Sequence, residues 1–352
     1  MKKNEQKQQI ESNKNKGTVL VTGGAGYIGS HTCVALLEKG YEIVVVDNFI
    51  NSSPVSLERV TKITGKTFHW YRIDVRNREQ LAEVFEKHHI DWVIHFAALK
   101  AVGESVAQPL RYYDNNLNAT MSLLTVMQNY GCKKIVFSSS ATVYGDPEIL
   151  PLTEDCALRT TNPYGATKLM NEDMLRDICK ADKEWTAVIL RYFNPVGAHP
   201  SGLIGENPQG IPNNLTPYIA QVLTGKLPFL QVFGNDYDTP DGTGVRDYIH
   251  VCDLAQGHLQ AIAETKVSGV HTYNLGTGKG YSVLDVLHAF ERAAEREIPY
   301  QIKPRRAGDV ATCYADPKRA EEKLQWKAQY DLDDMARDLW RFYSQNPHGY
   351  EE

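Results

Sequence analysis

Thr18-Val19-Leu20-Val21-Thr22-Gly23-Gly24-Ala25-Gly26-Tyr27-Ile28-Gly29 reads as a β-branched strand, a glycine turn and the opening of a helix. The apolar period of that helix runs from Ile28 to Leu37 and stops at Gly40. Glycines at 23, 26 and 29 permit a tight turn and let backbone N–H groups approach a pyrophosphate, which then lies at the positive end of the helix. The next strand, Glu42 to Val46, closes on Asp47, about 20 residues past the turn, where a carboxylate can hold adenosine ribose hydroxyls. Three glycines alone are a weak signal. Between a strand and a helix, with an acid closing the following strand, they specify a dinucleotide site. The acid also argues for NAD over NADP, because it repels a 2′-phosphate.

Working outward, strands alternate with helices to about residue 193, which predicts an α/β, Rossmann-type doubly wound parallel sheet. Thr67 to Ile73 ends in Asp74, a candidate for the adenine. Asp91 to Ala98 leads into Leu99-Lys100, and Ile135 to Ser140 brings three serines to the carboxyl edge. His95 reads as a packed strand residue.

Tyr164-Gly165-Ala166-Thr167-Lys168 follows Ser140 by 24 residues. Four residues span just over one helical turn, so Tyr164 and Lys168 share a face. An ammonium beside a phenol favours the ionised phenol. A free Tyr, with a pKa near 10, must come down by roughly 3, worth about 4 kcal/mol, to act as a base near neutrality. Lys168 and a cationic oxidised nicotinamide are the available sources. An isolated pair of this kind reads as an exposed Tyr and Lys on an ordinary helix. The dinucleotide site and Ser140 are what lift it to a catalytic group.

From Asn194 the texture changes. Prolines at 195, 200, 208, 212 and 217 with glycines at 197, 202, 205 and 210 make a long irregular segment, and such segments are usually functional. Helical patterns return at 216–224, 251–264, 283–295, 317–324 and 332–344. The expected organisation is a cofactor unit over 17–193 and a smaller α/β unit over 194–345, interleaved with the first, that covers the cleft and holds the substrate. Residues 1–16, rich in Lys, Asn and Gln, read as a disordered tail that lacks the apolar stretch of a signal peptide.

Composition excludes more than it assigns. The 43 acids against 38 Lys plus Arg give a net charge of −5, with no basic stripe for nucleic acid. No apolar run is long enough to span a membrane. Cysteines 33, 132, 156, 179, 252 and 313 form no C-x-x-C pair. They fit free thiols in a reducing cytoplasm, and no metal site is expected.

Several stretches together resemble the UDP-glucose 4-epimerases of the extended short-chain dehydrogenase/reductase superfamily. They are Thr22 to His31, Phe137 to Gly145, Tyr164 to Lys168, Arg191 to Pro200, Gln209 to Leu215 and Gly242 to Val251. The resemblance runs from about residue 17 to about 350. It implies tightly bound NAD held by Gly23, Gly26, Tyr27, Ile28, Gly29, Asp47, Asn48, Asp74, Val75, Phe96, Ala97, Lys100, Asn115, Ser138, Tyr164, Lys168 and Tyr192. It implies a UDP-hexose held by Ser140, Phe193, Asn194, Asn214, Leu215, Gln231, Phe233, Arg246, Arg306 and Asp309. The two arginines map onto the diphosphate, Asp309 onto a ribose, and Gln231 with Phe233 onto the segment flanking uracil. Catalysis is carried by Tyr164, Lys168 and Ser140, and the family is commonly a homodimer joined through helices of the cofactor unit.

The implied reaction is reversible epimerisation at C4 of UDP-glucose and UDP-galactose through a transient 4-keto sugar. Related 4,6-dehydratases carry an Asp-Glu pair directly after the catalytic hydroxyl residue. Ala141 and Thr142 stand here, and neither does acid–base work. A simple NAD-dependent nucleotide-sugar dehydrogenase, a dehydratase, and a binding-only sensor on a dead reductase fold remain the alternatives. The segment Arg305 to Tyr314 resembles the family stretch that ends beside the hexose. Some members carry Tyr at the position of Cys313, and those with a smaller residue also accept UDP-GlcNAc and UDP-GalNAc. The same sugars are expected here.

Overall fold

The computed structural model describes residues 16–208, 210, 212, 214–306 and 309–350. Most of the expected N-terminal tail, and parts of the Gln209 to Leu215 and Arg305 to Tyr314 stretches, lie outside the described residues. Six strands follow in order: β1 (Thr18–Thr22), β2 (Glu42–Asp47), β3 (His69–Arg72), β4 (Trp92–His95), β5 (Lys134–Ser140) and β6 (Thr186–Tyr192). With Gly269–Leu275 they form a seven-stranded sheet in the order Gly269–Leu275, β6, β5, β4, β1, β2, β3. All neighbours pair in parallel. The third and fourth strands are shorter than the sequence pattern suggests.

Both faces of such a sheet must be covered, which explains the near-continuous apolar runs. Along β1 the period of two sends Val19 and Val21 into one core and Leu20 into the other. The chain reverses its winding at β1, which is flanked by β2 on one side and β4 on the other. In open α/β sheets that point opens a crevice at the carboxyl ends of the strands.

Two helices matter most for what lies there. Tyr27–Lys39 begins at Gly26 with no side-chain cap and ends at Gly40, whose φ of 90° lets its N–H reach the carbonyls of Leu36 and Leu37. Pro163–Ala181 starts cleanly because Asn162 accepts from the Gly165 amide at 2.8 Å and Pro163 presets the first turn. Tyr164 therefore sits at the helix mouth, with Lys168 one turn deeper.

The C-terminal half adds short strand pairs, Asn194–Val196 with Tyr248–His250 and Leu230–Phe233 with Tyr300–Lys303. Its own core gathers Leu287, Phe290, Met335, Leu339 and Phe342. The helices Val283–Ala294 and Leu332–Gln345 that carry much of it each open with a capping box, Ser282 with Asp285 and Asp331 with Asp334. Among the described residues no helix is long and apolar enough to cross a membrane.

Candidate functional site

A cavity of about 990 Å³ occupies the crevice between the sheet and the C-terminal half. Its floor is the glycine turn. Gly23 has φ 73°, and a Cβ there would stand 2.8 Å from the Ala97 amide nitrogen. A Cβ on Gly29 would lie 2.3 Å from the Gly23 carbonyl oxygen. The turn is thus packed against backbone on both sides. Gly26, Tyr27, Ile28 and Gly29 line the cavity at the uncapped start of their helix. Unpartnered first-turn amides and the positive end of the helix dipole make that floor a diphosphate seat.

Asp47 closes β2 beside this seat and is 6% exposed. Its Oδ2 accepts from the Ala25 amide at 3.0 Å, and its Oδ1 from the Phe49 amide and the Ser52 hydroxyl, both at 2.8 Å. Burial pushes its carboxyl upward while these donors pull it back. Further along, a hydrogen bond from Arg76 is the main force holding Asp74 down at about 2. Asn48 donates to Asp74 at 3.2 Å, and Val75 continues the wall. Phe96 and Ala97 follow β4 into the cavity, and Lys100 and Asn115 line it beyond them. Lys100 reaches across to Glu206 at 2.9 Å, a carboxylate almost wholly buried. A dinucleotide therefore fits: an anion seat in the middle and carboxylates at one end, leading to the reactive groups at the other.

At that other end stand Ser138, Ser140, Tyr164, Lys168 and Tyr192. Lys168 Nζ donates to the Ser138 carbonyl at 2.6 Å and lies 5.8 Å from the centre of the Tyr164 ring. Burial brings its ammonium down to about 7, opposed by the charge of Glu172. Tyr164 opens part of its surface to the cavity but is surrounded by protein, and burial pushes it up to about 12 while a hydrogen bond with Ser140 lowers it. Protein alone thus keeps this phenol neutral, with almost no phenolate to act as base near neutrality. Cationic charge in the cavity is what would bring the phenol down. The Thr142 amide and hydroxyl both donate to Ser140 Oγ, at 3.2 and 3.0 Å. Ser140 is thereby oriented without any ionisable neighbour immediately after it.

Phe193, Asn194, Asn214, Leu215, Gln231, Phe233, Arg246, Arg306 and Asp309 line the part of the same cavity that the C-terminal half covers. Arg306 donates to Asp309 at 2.9 Å and lies 4.9 Å from the Phe233 ring centre. Arg246 and Arg306 both pull the buried Tyr248 phenol downward, against a rise to about 12 that burial causes. Two guanidiniums therefore converge on one region, as a diphosphate requires. Cys313 is placed differently. It is not among the residues lining the cavity, but packs with Val143, Tyr144 and Phe193 one layer behind it. It is paired in register with Arg246.

His95 is a structural residue: its ring nitrogens meet Thr22 at 2.7 Å and Thr120 at 3.1 Å, and burial drops it to about 3. Sequence reading missed Glu206 and Tyr248, which line the cavity, and gave Thr142, also in its wall, no part in orienting Ser140. Glu206 lies in the Pro- and Gly-rich segment already marked by its texture, the one signal that pointed to it. Among the described residues no group of His, Cys, Asp and Glu is arranged to hold a metal.

The family model described as GDP-mannose 4,6 dehydratase matches residues 20–339. The UDP-glucose 4-epimerase of Bacillus subtilis is 61% identical over 94% of this chain and 98% of its own length. That of Dictyostelium discoideum is 57% identical over 95% and 98% respectively. A crystal structure of UDP-glucose 4-epimerase from Bifidobacterium longum in complex with NAD⁺ and UDP superimposes with a TM-score of 0.92 at 60% identity, covering 94% of this chain and 99% of that one.

Proposed function

Because the chain belongs to the UDP-glucose 4-epimerase family, within the wider group that the dehydratase model describes, we infer that its cavity epimerises nucleotide sugars at C4. The enzyme interconverts UDP-glucose and UDP-galactose through a transient 4-keto sugar and uses NAD. The observation that carries this reading to particular residues is the convergence of Tyr164, Lys168 and Ser140 on one cavity with the glycine turn and the two arginines.

We assign the proton work as follows. Bound NAD supplies the acceptor and donor of the hydrogen at C4. Tyr164 takes the proton of the C4 hydroxyl and later returns it, while Ser140 hydrogen-bonds the same oxygen. Lys168, with its own affinity for a proton weakened by burial, stabilises the phenolate. The uncapped helix start and the carboxylate of Asp47 hold the cofactor, with Asn48, Asp74, Val75, Phe96, Ala97, Lys100, Asn115, Ser138 and Tyr192 around it. Arg246 and Arg306 clamp the diphosphate of the sugar nucleotide, and Asp309, Asn194, Asn214, Leu215, Gln231, Phe193 and Phe233 complete that half. An epimerase must hold the nucleotide firmly and let the hexose turn over. Charged forks at one end and single hydroxyls at the other suit that division. The test is turnover of UDP-galactose to UDP-glucose without added NAD. A 4-keto-6-deoxy sugar as the main product, by mass, would restore the dehydratase reading that Ala141 and Thr142 disfavour. Stoichiometric NADH would restore the dehydrogenase, and binding without turnover the sensor.

We further propose that the N-acetylated pair, UDP-GlcNAc and UDP-GalNAc, is accepted. Cys313 is small, and behind Phe193 its substitution by a large ring pushes the cavity wall inward. Cys313→Tyr is expected to suppress the acetylated pair and spare the plain one, since overpacking costs ~1–3 kcal/mol and the acetyl group needs the added room. Equal losses on both pairs in steady-state assays, or no wild-type activity on UDP-GalNAc, would remove the proposal.

A homodimer is proposed from the helices Pro109–Asn129 and Pro163–Ala181, which leave Leu110 83%, Met121 39% and Met170 44% exposed. Exposed apolar stripes of this kind mark protein contacts. Leu110→Asp with Met170→Asp should convert a dimer to a monomer in sedimentation velocity, and a wild-type monomer rejects the idea. We also propose a cytoplasmic location, which the free cysteines support and cell fractionation checks.

A further inference from the structure

His258 is fully buried in the helix Val251–Glu264 and takes no part in the chemistry assigned above. Its Nδ1 lies 2.9 Å from the Leu254 carbonyl oxygen, and its Nε2 meets the Tyr192 hydroxyl in a short hydrogen bond. A carbonyl only accepts, so Nδ1 carries the proton. Burial lowers this imidazole to about 4, so the ring is neutral and Nε2 is a bare acceptor. Tyr192 must therefore donate to it. The Tyr192 proton is thus directed at His258, whose own proton points to Leu254.

Tyr192 and Ser138 both line the cavity at its reactive end, where Lys168 is bonded to the Ser138 carbonyl. The part of a dinucleotide that must reach this end is the nicotinamide. Its carboxamide has one donor, the NH₂, and one acceptor, the carbonyl. We propose that His258 is a positioning residue: by fixing the direction of the Tyr192 proton, it makes the Tyr192 oxygen an acceptor that selects the carboxamide NH₂ and so sets how the nicotinamide ring is presented. The ring of Phe96, 4.7 Å from that of His258, packs the imidazole from the other side and keeps its orientation. The same arrangement keeps Tyr192, a second phenol near Tyr164, from donating a proton into the reaction.

This inference rests on the reading that NAD occupies the cavity, and the experiment separates the two. NAD and its 3-acetylpyridine analogue, which lacks the NH₂, are competed for the protein by equilibrium dialysis. Wild type should prefer NAD by about tenfold, the scale of one buried hydrogen bond. His258→Phe and Tyr192→Phe should each bring the ratio to within about twofold. His258→Gln, whose amide oxygen still accepts from Tyr192, should retain it. A purely structural role for His258 lowers both affinities together and leaves the ratio unchanged. An unchanged ratio in a folded His258→Phe or Tyr192→Phe protein, or a lost ratio in His258→Gln, overturns the proposal. If His258→Phe does not fold, Tyr192→Phe and His258→Gln decide it. Failure of wild type to bind NAD at all overturns the reading beneath it instead.

Discussion

Tyr164→Phe is expected to lower epimerase turnover by about 10²–10⁴-fold, the usual worth of a positioned acid–base group, while leaving the melting temperature close to that of wild type. The substitution removes one oxygen that protein alone holds as a neutral phenol, pushed up to about 12 by burial. No backbone element depends on it. Lys168→Met should produce a comparable loss in rate and a larger loss in stability, because it also deletes the 2.6 Å bond that ties the helix to the end of β5. Steady-state kinetics paired with thermal denaturation checks both. Near-wild-type turnover in Tyr164→Phe would show that another group moves the proton.

Glu172→Leu should cost about 3–5 kcal/mol of folding free energy, the range seen when one partner of a buried ion pair is removed. Glu172 is fully buried and receives Arg191 at 2.7 and 3.0 Å, Arg176 at 2.6 Å and the Ser139 hydroxyl at 2.5 Å. Without it the equally buried Arg191 keeps, among the described residues, hydrogen bonds to Tyr144 and the Glu154 carbonyl only. Urea unfolding measures the loss, and a double variant with Arg191→Met should recover part of it. The cationic partners outweigh burial and hold the Glu172 carboxyl below its ordinary value. Its stabilising effect is therefore present above about pH 4.3, the ordinary Glu pKa, and disappears as pH falls through the depressed folded value. A Glu172→Leu protein that unfolds at the wild-type urea concentration would show that the network is idle.

The legible parts of the fold were those with local causes. The glycine turn and the helix Val251–Glu264 both follow from turn chemistry and a 3.6-residue period. Hidden from the sequence was the partner of β6. Gly269–Leu275 pairs with it in parallel from more than 75 residues away, and a parallel register leaves no trace in local pattern. Within the site, residues anchored to motifs were readable, whereas Glu206 acts through a contact to Lys100 that is set by tertiary placement. Cys313 illustrates the limit in another way. Its place in the family stretch Arg305 to Tyr314 could be read, but whether a strand residue faces the cavity or the layer behind it depends on neighbours far away in sequence, here Val143, Tyr144 and Phe193.

That late strand has a consequence for synthesis. β6 is buried at all seven of its positions, yet its outer edge has no partner until residue 275 has emerged from the ribosome. Until then the nascent sheet displays an unpaired, apolar edge, the feature most prone to pairing with other chains. A truncation that ends near residue 193 is therefore expected to give aggregated protein, and cofactor capture in the cell has to wait for the C-terminal half of the chain.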